Sequence, residues 1–185
     1  MEPLVPVLII VALLALNALF VAAEFAIVSA PRMAIGRRAS QGERLAKTVH
    51  RILEQPRRQD RFIATAQLGI TIASLGLGMY GEHVLAEWVF HQMADAGIGG
   101  WAAAHTIASL VSVAFLTYFH IVFGEMIPKS LALQRAEHTV LWITPLMLTI
   151  KAALYPFVIG LNAVGNGLLQ LVGIDRRNAT SEHLY

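Results

Sequence analysis

The segment at 121–132, IVFGEMIPKSLA, places an ionisable carboxylate and a helix-breaking proline at the edge of a long apolar stretch. The 29 residues from Ala96 to Gly124 contain no Asp, Glu, Lys or Arg, and Glu125 follows directly. Pro128 has no N–H, so the carbonyl of Gly124, four residues earlier, lacks its helical hydrogen bond. Carboxylates inside membranes are rare and usually functional, and irregular backbone at that depth is buried in protein or lines a cavity. Two hard oxygens side by side therefore predict part of a cation site.

The first long apolar stretch carries three polar side chains. Ser29 lies two residues before Pro31, which frees the carbonyl of Ile27 by the same argument. Ser29 is either a metal ligand or a hydroxyl that bonds to its own helix. Glu24 follows Asn17 by seven residues on a similar helical face. Since a membrane carboxylate is costly unless it is protonated or paired, Glu24 either bonds to another helix or belongs with Asn17 to a cation path.

A second polar face is predicted on the next apolar stretch. Gln67, Thr71, Ser74 and Gly78 recur at spacings of 4, 3 and 4, which places them on one side of a helix. They serve either interhelical hydrogen bonds or one wall of a cation path. Thr71 and Ser74 lie near the middle of the stretch and are the better ligand candidates.

Motifs for catalysis are missing from the sequence. It contains no His-Glu-x-x-His pattern and no Gly-rich phosphate-binding loop, so an enzyme has the least support and nucleic acid is not an expected partner. His120 is the histidine on the third apolar stretch that could bind a soft metal. A hydrogen-bonded structural role is the favoured interpretation for this residue.

The composition indicates an all-α integral membrane protein. Of 185 residues, 56% are hydrophobic and 14% are charged, whereas soluble domains have about a quarter charged residues. The chain has no cysteine, so a bound metal would take oxygen or imidazole ligands. Nine of the 14 Lys and Arg residues lie between Arg32 and Arg61.

Three membrane spans are predicted: Pro3–Ala30, Phe62–Gly81 and Trp101–Ile127. The first is too long for the apolar core of a cleaved signal peptide. The rule that basic segments stay in the cytoplasm places 32–61 inside, and the N-terminus and the 82–100 loop outside. The chain is thus expected to be a multi-pass protein of the cell (inner) membrane.

The basic segment 32–61 is predicted to form an amphipathic helix at the inner leaflet, the alternative being a solvated loop. Its apolar face would contain Met33, Ile35, Leu45, Val49, Ile52 and Leu53.

A further apolar stretch, Thr139–Gly173, is divided by Lys151 and interrupted by Pro145 and Pro156. A fourth complete span would place Arg176–Arg177 outside, against the charge rule. We therefore expect a helical hairpin or belt at the cytoplasmic side, with a full fourth span as the alternative.

Three segments of this chain resemble the signatures of the DUF21 transmembrane domain of the CorC/CNNM magnesium transporter family: NALFVAAEFAIVSAPR, TAQLGITIASLGLG and GEMIPKSLALQRAE. The third segment matches the pattern Gly-Glu-x-x-Pro-Lys in full. In the second, Ser74 stands where many relatives have Asn, and Ile70 departs from a polar pattern. The matching residues are Phe20, Val21, Glu24, Ala26 and Ser29 in the first segment, Gln67, Leu68, Gly69 and Thr71 in the second, and Gly124, Glu125, Pro128 and Lys129 in the third.

The resemblance implies a homodimer of three transmembrane helices with cytoplasmic-side belt helices and an inward-facing Mg²⁺ site. The DUF21-like domain would cover 1–175, and 176–185 would begin a truncated linker to cytoplasmic CBS domains, which alone bind nucleotide. The implied activity is Mg²⁺ export, with coupling to Na⁺ proposed for relatives. A membrane-anchored Mg²⁺ sensor or scaffold without transport is the alternative.

The predicted site combines the two lines of reasoning. We expect Ser29 and Ser74 to contact the same ion from different helices, with membrane lipid around the dimer. Coupling ion, direction and stoichiometry stay open at this point. The predicted metal ligands are Glu125, Ser29, Ser74, Gly124 and Thr71, the second cation-path residues are Glu24, Asn17 and Gln67, and the helix breakers are Pro31 and Pro128.

Overall fold

The computed structural model describes residues 4–95 and 101–171, and within these ranges the chain is helical with no strand. Prolines mark several helix boundaries: Pro31 separates the first two helices, Pro56 opens the fourth and Pro128 lies in the first turn of the seventh. The elements are α1 (Leu4–Ser29), α2 (Arg32–Ser40), α3 (Arg44–Leu53), α4 (Pro56–Gly76), a first π-turn (Leu77–Gly81), α5 (Glu82–Asp95), α6 (Trp101–Phe119), a second π-turn (His120–Met126), α7 (Ile127–Gln134) and α8 (Ala136–Leu171).

Four helical stretches of the described residues are long and apolar enough to cross a membrane: Leu4–Ser29, Pro56–Asp95, Ala102–Gln134 and Ala136–Phe157. The first three correspond to the three predicted spans. Their length and composition make this an all-α, multi-pass membrane protein. The all-α class is therefore confirmed.

The second span is longer than predicted. Residues Glu82–Asp95, expected to begin an outside loop, continue the helix as α5. The glycines of the sequence GLGMYG do not end the helical stretch, because the backbone passes from α4 through the first π-turn into α5 and stays helical. Positions 96–100 of the expected loop lie outside the described residues.

The basic segment 32–61 forms two short helices, α2 and α3, and the start of α4, rather than one helix. Gly42, with φ of 97°, turns the chain between α2 and α3, a conformation that glycine adopts without the steric cost of a Cβ. Of the six apolar residues of the predicted face, Ile35, Val49, Ile52 and Leu53 are buried within the protein, whereas Met33 is 91% exposed and Leu45 is 41% exposed. Arg38 donates hydrogen bonds to Glu43 and to Glu137 of α8, and these bonds raise the pKa of its guanidinium.

Residues 139–171 form one continuous helix, so the predicted hairpin is wrong for this part of the chain. Pro145 and Pro156 lie within α8. Each removes a single helical N–H, and membrane helices tolerate such a loss. A belt position and a full fourth span remain the two alternatives. Positions 172 and 173 and the 176–185 segment lie outside the described residues.

Helix α1 is the centre of the bundle. It packs against α4, both π-turns, α7 and α8, while α5 and α6 pack against each other. Phe20 of α1 belongs to the core: its side chain is 4% exposed and lies over Gly69 of α4. Alanines 23 and 26 are buried on the same helix, as expected for a face of small residues that permits close packing.

Gly69→Ala is expected to lower the stability of the bundle. A Cβ at this position would lie 2.5 Å from Cε1, Cε2 and Cζ of Phe20, and overpacking of this kind costs about 1–3 kcal/mol. Thermal unfolding in detergent, followed by tryptophan fluorescence, would measure the loss. Gly160→Ala in α8 is the control, since a Cβ there meets nothing within 4 Å. Equal unfolding temperatures for the two variants would contradict the expected contact, and Phe20→Leu should rescue Gly69→Ala.

Candidate cation site

Helices α1 and α4 run antiparallel and meet through polar side chains at two levels. At one level, the hydroxyl of Ser74 donates a hydrogen bond to Oδ1 of Asn17 at 3.0 Å. At the other, Nε2 of Gln67 donates to Oε1 of Glu24 at 3.1 Å. The partners are separated by seven residues on each helix, a rise of about 10.5 Å. The polar faces predicted on the two helices therefore face each other.

The second π-turn brings the backbone of Gly124 to the first of these levels. The N–H of Ile127 bonds to the carbonyl of Val122, five residues back, as in a π-helix. Pro128 follows at the start of α7. The carbonyl of Gly124, predicted to lose its helical partner, accepts a hydrogen bond from Nδ2 of Asn17 at 3.0 Å. Both residues are buried, so the bond joins α1 to the π-turn inside the bundle.

His120 connects this buried group to Glu125. Its Nε2 lies 3.2 Å from Oγ of Ser74 and 4.0 Å from Oε1 of Glu125. The side chain of Glu125 is 51% exposed, whereas that of His120 is 20% exposed. The contacts thus lead from a buried amide to a carboxylate at the surface of the chain. We call Asn17, Ser74, His120, Gly124 and Glu125 the polar cluster.

His120 is the member of the polar cluster that is not among the predicted site residues. A hydrogen-bonded structural role is predicted for it, and it does contact Ser74. One signal was present in the sequence, since His120 precedes Gly124 by one helical turn. In the structure, a Cβ on Gly124 would lie 2.7 Å from Cδ2 of His120. Glycine is thus required where the imidazole packs on the backbone.

Ser29 does not belong to the polar cluster. Its hydroxyl donates to the carbonyl of Phe25 in the same helix, which is the alternative to a metal ligand at this position. It follows Asn17 by 12 residues, a distance of about 18 Å along α1, and Asn17 contacts Ser74 directly. The structure therefore does not bring Ser29 and Ser74 together within one chain. Ser29 instead lines a cavity of about 650 Å³ beside Pro31 and Arg38.

The hydrogen bonds of Thr71 and of the Glu24–Gln67 pair are made outside the polar cluster. The hydroxyl of Thr71 donates to the carbonyl of Gln67 in its own helix and is exposed. Glu24, which needed a partner, finds one in Gln67 across the helix boundary. The pair is separated from Asn17 and Ser74 by about two helical turns. It lies on the side of α1 that ends at Ser29, next to the basic α2.

The donor set of the polar cluster suits a hard cation. The polar cluster contains one carboxylate, one hydroxyl, one backbone carbonyl and one amide oxygen, and the carboxylate is linked to the other three through His120. Mg²⁺ and Ca²⁺ take oxygen ligands of these kinds. Within 4–95 and 101–171, no group of three or more His, Asp or Glu side chains could hold a metal. A cation at this site would thus be held by a single negative charge and several neutral oxygens.

A match to a protein family covers all residues of the polar cluster. Residues 8–185 match the family described as the Cyclin M transmembrane N-terminal domain. The chain belongs to this family. The resemblance to the DUF21 signatures is thereby confirmed, and the protein is a family membrane domain with several apolar helices.

Relatives of this Cyclin M transmembrane domain occur in diverse bacteria. UPF0053 protein YugS of Bacillus subtilis is 33% identical over 92% of the chain and 38% of its own length. Rv1841c of Mycobacterium tuberculosis is 34% identical over 96% of the chain and 49% of its own length. UPF0053 protein sll0260 of Synechocystis is 30% identical over 91% of the chain and 37% of its own length. The chain thus spans less than half of each of these relatives.

Proposed function

We propose that this domain transports Mg²⁺ across the membrane and that the polar cluster binds the ion. The observation that carries the proposal is that hydrogen bonds join Asn17 to the Gly124 carbonyl and to Ser74, while His120 links Ser74 to Glu125. Mg²⁺ requires nearly octahedral oxygen coordination at about 2.0–2.1 Å and keeps several waters. Four protein oxygens from three helical segments, completed by water, suit this requirement.

Ion binding would replace hydrogen bonds that the polar cluster now makes within itself. Asn17 donates a hydrogen bond to the Gly124 carbonyl and accepts one from the Ser74 hydroxyl, each at 3.0 Å. For the Gly124 carbonyl to face a cation, the NH₂ group of Asn17 has to turn away. The same rotation can direct Oδ1 toward the ion. Asn17 would then contact the ion in place of its hydrogen bond to the Gly124 carbonyl.

The Glu24–Gln67 pair would form the inward part of the ion path. By the charge rule, the end of α1 that leads into the basic α2 faces the cytoplasm and the N-terminus lies outside. A carboxylate at that level attracts a divalent cation on its way to or from the polar cluster. Mg²⁺ export from an inward-facing site, with coupling to Na⁺ as in the proposal for relatives, is consistent with this order.

We also propose that the domain acts as a homodimer in the cell (inner) membrane. Gln67 and Thr71 are exposed on the single chain although they lie in an apolar helix. A second copy would cover polar groups that are costly in contact with lipid. Nucleotide would act through CBS domains elsewhere in the full-length protein, and the membrane domain itself would not be an enzyme.

Mg²⁺ flux into proteoliposomes tests the transport proposal. Vesicles that contain the protein and a trapped Mg²⁺-sensitive dye should respond to external Mg²⁺, and an opposing Na⁺ gradient should change the rate if the ions are coupled. Protein-free vesicles of the same lipid are the control. Mg²⁺ binding by calorimetry without flux would support the sensor or scaffold instead. Absence of both would overturn the proposal.

A further inference from the structure

A second cavity lies between α3, α4 and α8, away from the polar cluster. Its volume is about 370 Å³. Four cationic side chains line it, Arg51, Arg58, Arg61 and Lys151, and no Asp or Glu is among the lining residues. The basic segment and a lysine 90 positions beyond its end thus meet at one place.

These four cations are not neutralised by the part of the chain that the structure describes. Arg38 has two carboxylate partners, Glu43 and Glu137, but no ion pair involves any of the four cations of this cavity. Like charges gathered around one cavity repel each other. The charge rule accounts for basic residues on this side of the membrane, but not for the meeting of three arginines with a lysine of α8 at one cavity.

The walls of the cavity are apolar on one side. Phe62 is buried, and Leu148 precedes Lys151 by one turn of the apolar helix α8. Lys151 is itself only partly exposed. The four charges therefore lie at a boundary between an aqueous, basic surface and a helix long and apolar enough to lie in a membrane. Tyr155 and Ile159 extend the exposed apolar surface of α8 beyond this boundary.

We infer that this cavity binds a phosphate group, with the head group of an anionic phospholipid as its favoured source. Arginine guanidinium groups match phosphate oxygens in pairs, and lysine supplies a point charge. Anionic lipids are attracted to basic segments at the cytoplasmic surface of membranes. The acyl chains of such a lipid would lie against α8. This inference is independent of the proposed Mg²⁺ site, which shares no residue with the cavity.

Lipid binding to the purified protein tests the inference. Affinity for phosphatidylglycerol would be measured by native mass spectrometry, and by the rise in thermal unfolding temperature in mixed micelles. Phosphatidylcholine is the neutral reference lipid. Arg58→Gln and Lys151→Gln should each weaken phosphatidylglycerol binding about fivefold. The matched control is Arg57→Gln, an exposed neighbour that does not line the cavity. Because Arg57 does not line the cavity, Arg57→Gln should change phosphatidylglycerol affinity by less than about twofold.

Soluble arms of the experiment distinguish the source of the phosphate. Inorganic phosphate and glycerol 3-phosphate should bind much more weakly than the lipid. If they bind equally well and with the same dependence on Arg58, the phosphate site stands and the lipid source is wrong. If Arg57→Gln weakens lipid binding as much as Arg58→Gln, or if phosphatidylcholine binds as tightly, the inference is overturned.

Two further measurements separate a binding defect from a folding defect. Each variant is heated in phosphatidylcholine micelles, and Arg58→Lys replaces Arg58→Gln if the latter is unstable. Arg58→Lys keeps the charge but loses the paired N–H groups of arginine, so it should weaken phosphatidylglycerol binding, by less than Arg58→Gln. Unchanged binding in both Arg58→Lys and Lys151→Gln would overturn the inference. Mg²⁺ affinity should be the same in Lys151→Gln and the wild type, which keeps this test apart from the test of the transport proposal.

Discussion

Glu125→Gln is expected to lower Mg²⁺ affinity by about a hundredfold or more. Glutamine keeps the size of the side chain but removes the single carboxylate of the polar cluster. Loss of a group that merely supports a metal ligand costs about 10–100-fold in affinity, and Glu125 is proposed as a direct ligand. Because its side chain is half exposed and 4.0 Å from His120, folding should be little affected. Titration calorimetry would measure the affinity, and light scattering would measure the oligomeric state.

Glu87→Gln is the matched control for this prediction. Glu87 is exposed on α5, outside the polar cluster, so its loss should leave Mg²⁺ affinity unchanged. Wild-type affinity in Glu125→Gln would remove Glu125 from the site. If Glu24→Gln instead abolished binding, the ion would be held at the Glu24–Gln67 pair and not at the polar cluster.

The positions of several site residues could be predicted from the sequence because helical spacing determines which residues share a face. Asn17 and Glu24 fall on one face of α1, Ser74 and Gln67 on one face of α4, and the structure pairs them. The helical spacing of residues did not predict the level of Ser29 along α1. A shared face says nothing about depth, and Ser29 lies about 18 Å along α1 from Asn17.

The two π-turns could not be predicted from helical periodicity. Each shifts the register of the residues that follow, since the hydrogen bond spans five residues instead of four. In the second turn this shift accompanies the approach of the Gly124 carbonyl to Asn17 and of His120 to Ser74. In the first turn it carries the helix past glycines that would ordinarily indicate an end.

The course of α8 at its prolines and the direction of the apolar residues in the basic segment depend on how the helices pack, so the sequence alone could not predict them. In the sequence Pro145 and Pro156 indicate interruptions, but each lies inside the continuous α8. In the basic segment, Ile35 and Val49 pack into the core while Met33 is exposed. The turn at Gly42 rotates α3 relative to α2, so a single helical projection could not place the apolar residues of both.

Gly124→Ala is expected to lower Mg²⁺ affinity strongly although it adds only a methyl group. A Cβ at this position would lie 2.7 Å from Cδ2 of His120 and 3.0 Å from Nδ2 of Asn17. Neither side chain can stay in place. The hydrogen bond of Asn17 to the Gly124 carbonyl and the contact of His120 with Ser74 should therefore be disturbed together. We expect affinity to fall by at least about tenfold to a hundredfold, the range for loss of groups that orient metal ligands.

Gly78→Ala is the matched control, because it makes the same change in the first π-turn, where a Cβ meets nothing within 4 Å. This variant should bind Mg²⁺ like the wild type and unfold at the same or a higher temperature, since alanine is favoured over glycine inside helices by roughly 0.5–1 kcal/mol. Adding Asn17→Ala to Gly124→Ala should relieve part of the clash and restore thermal stability without restoring Mg²⁺ affinity, because the amide is lost as well. Recovery of both properties in the double variant would show that Asn17 only fills space. Tight Mg²⁺ binding by Gly124→Ala itself would place the ion away from the second π-turn.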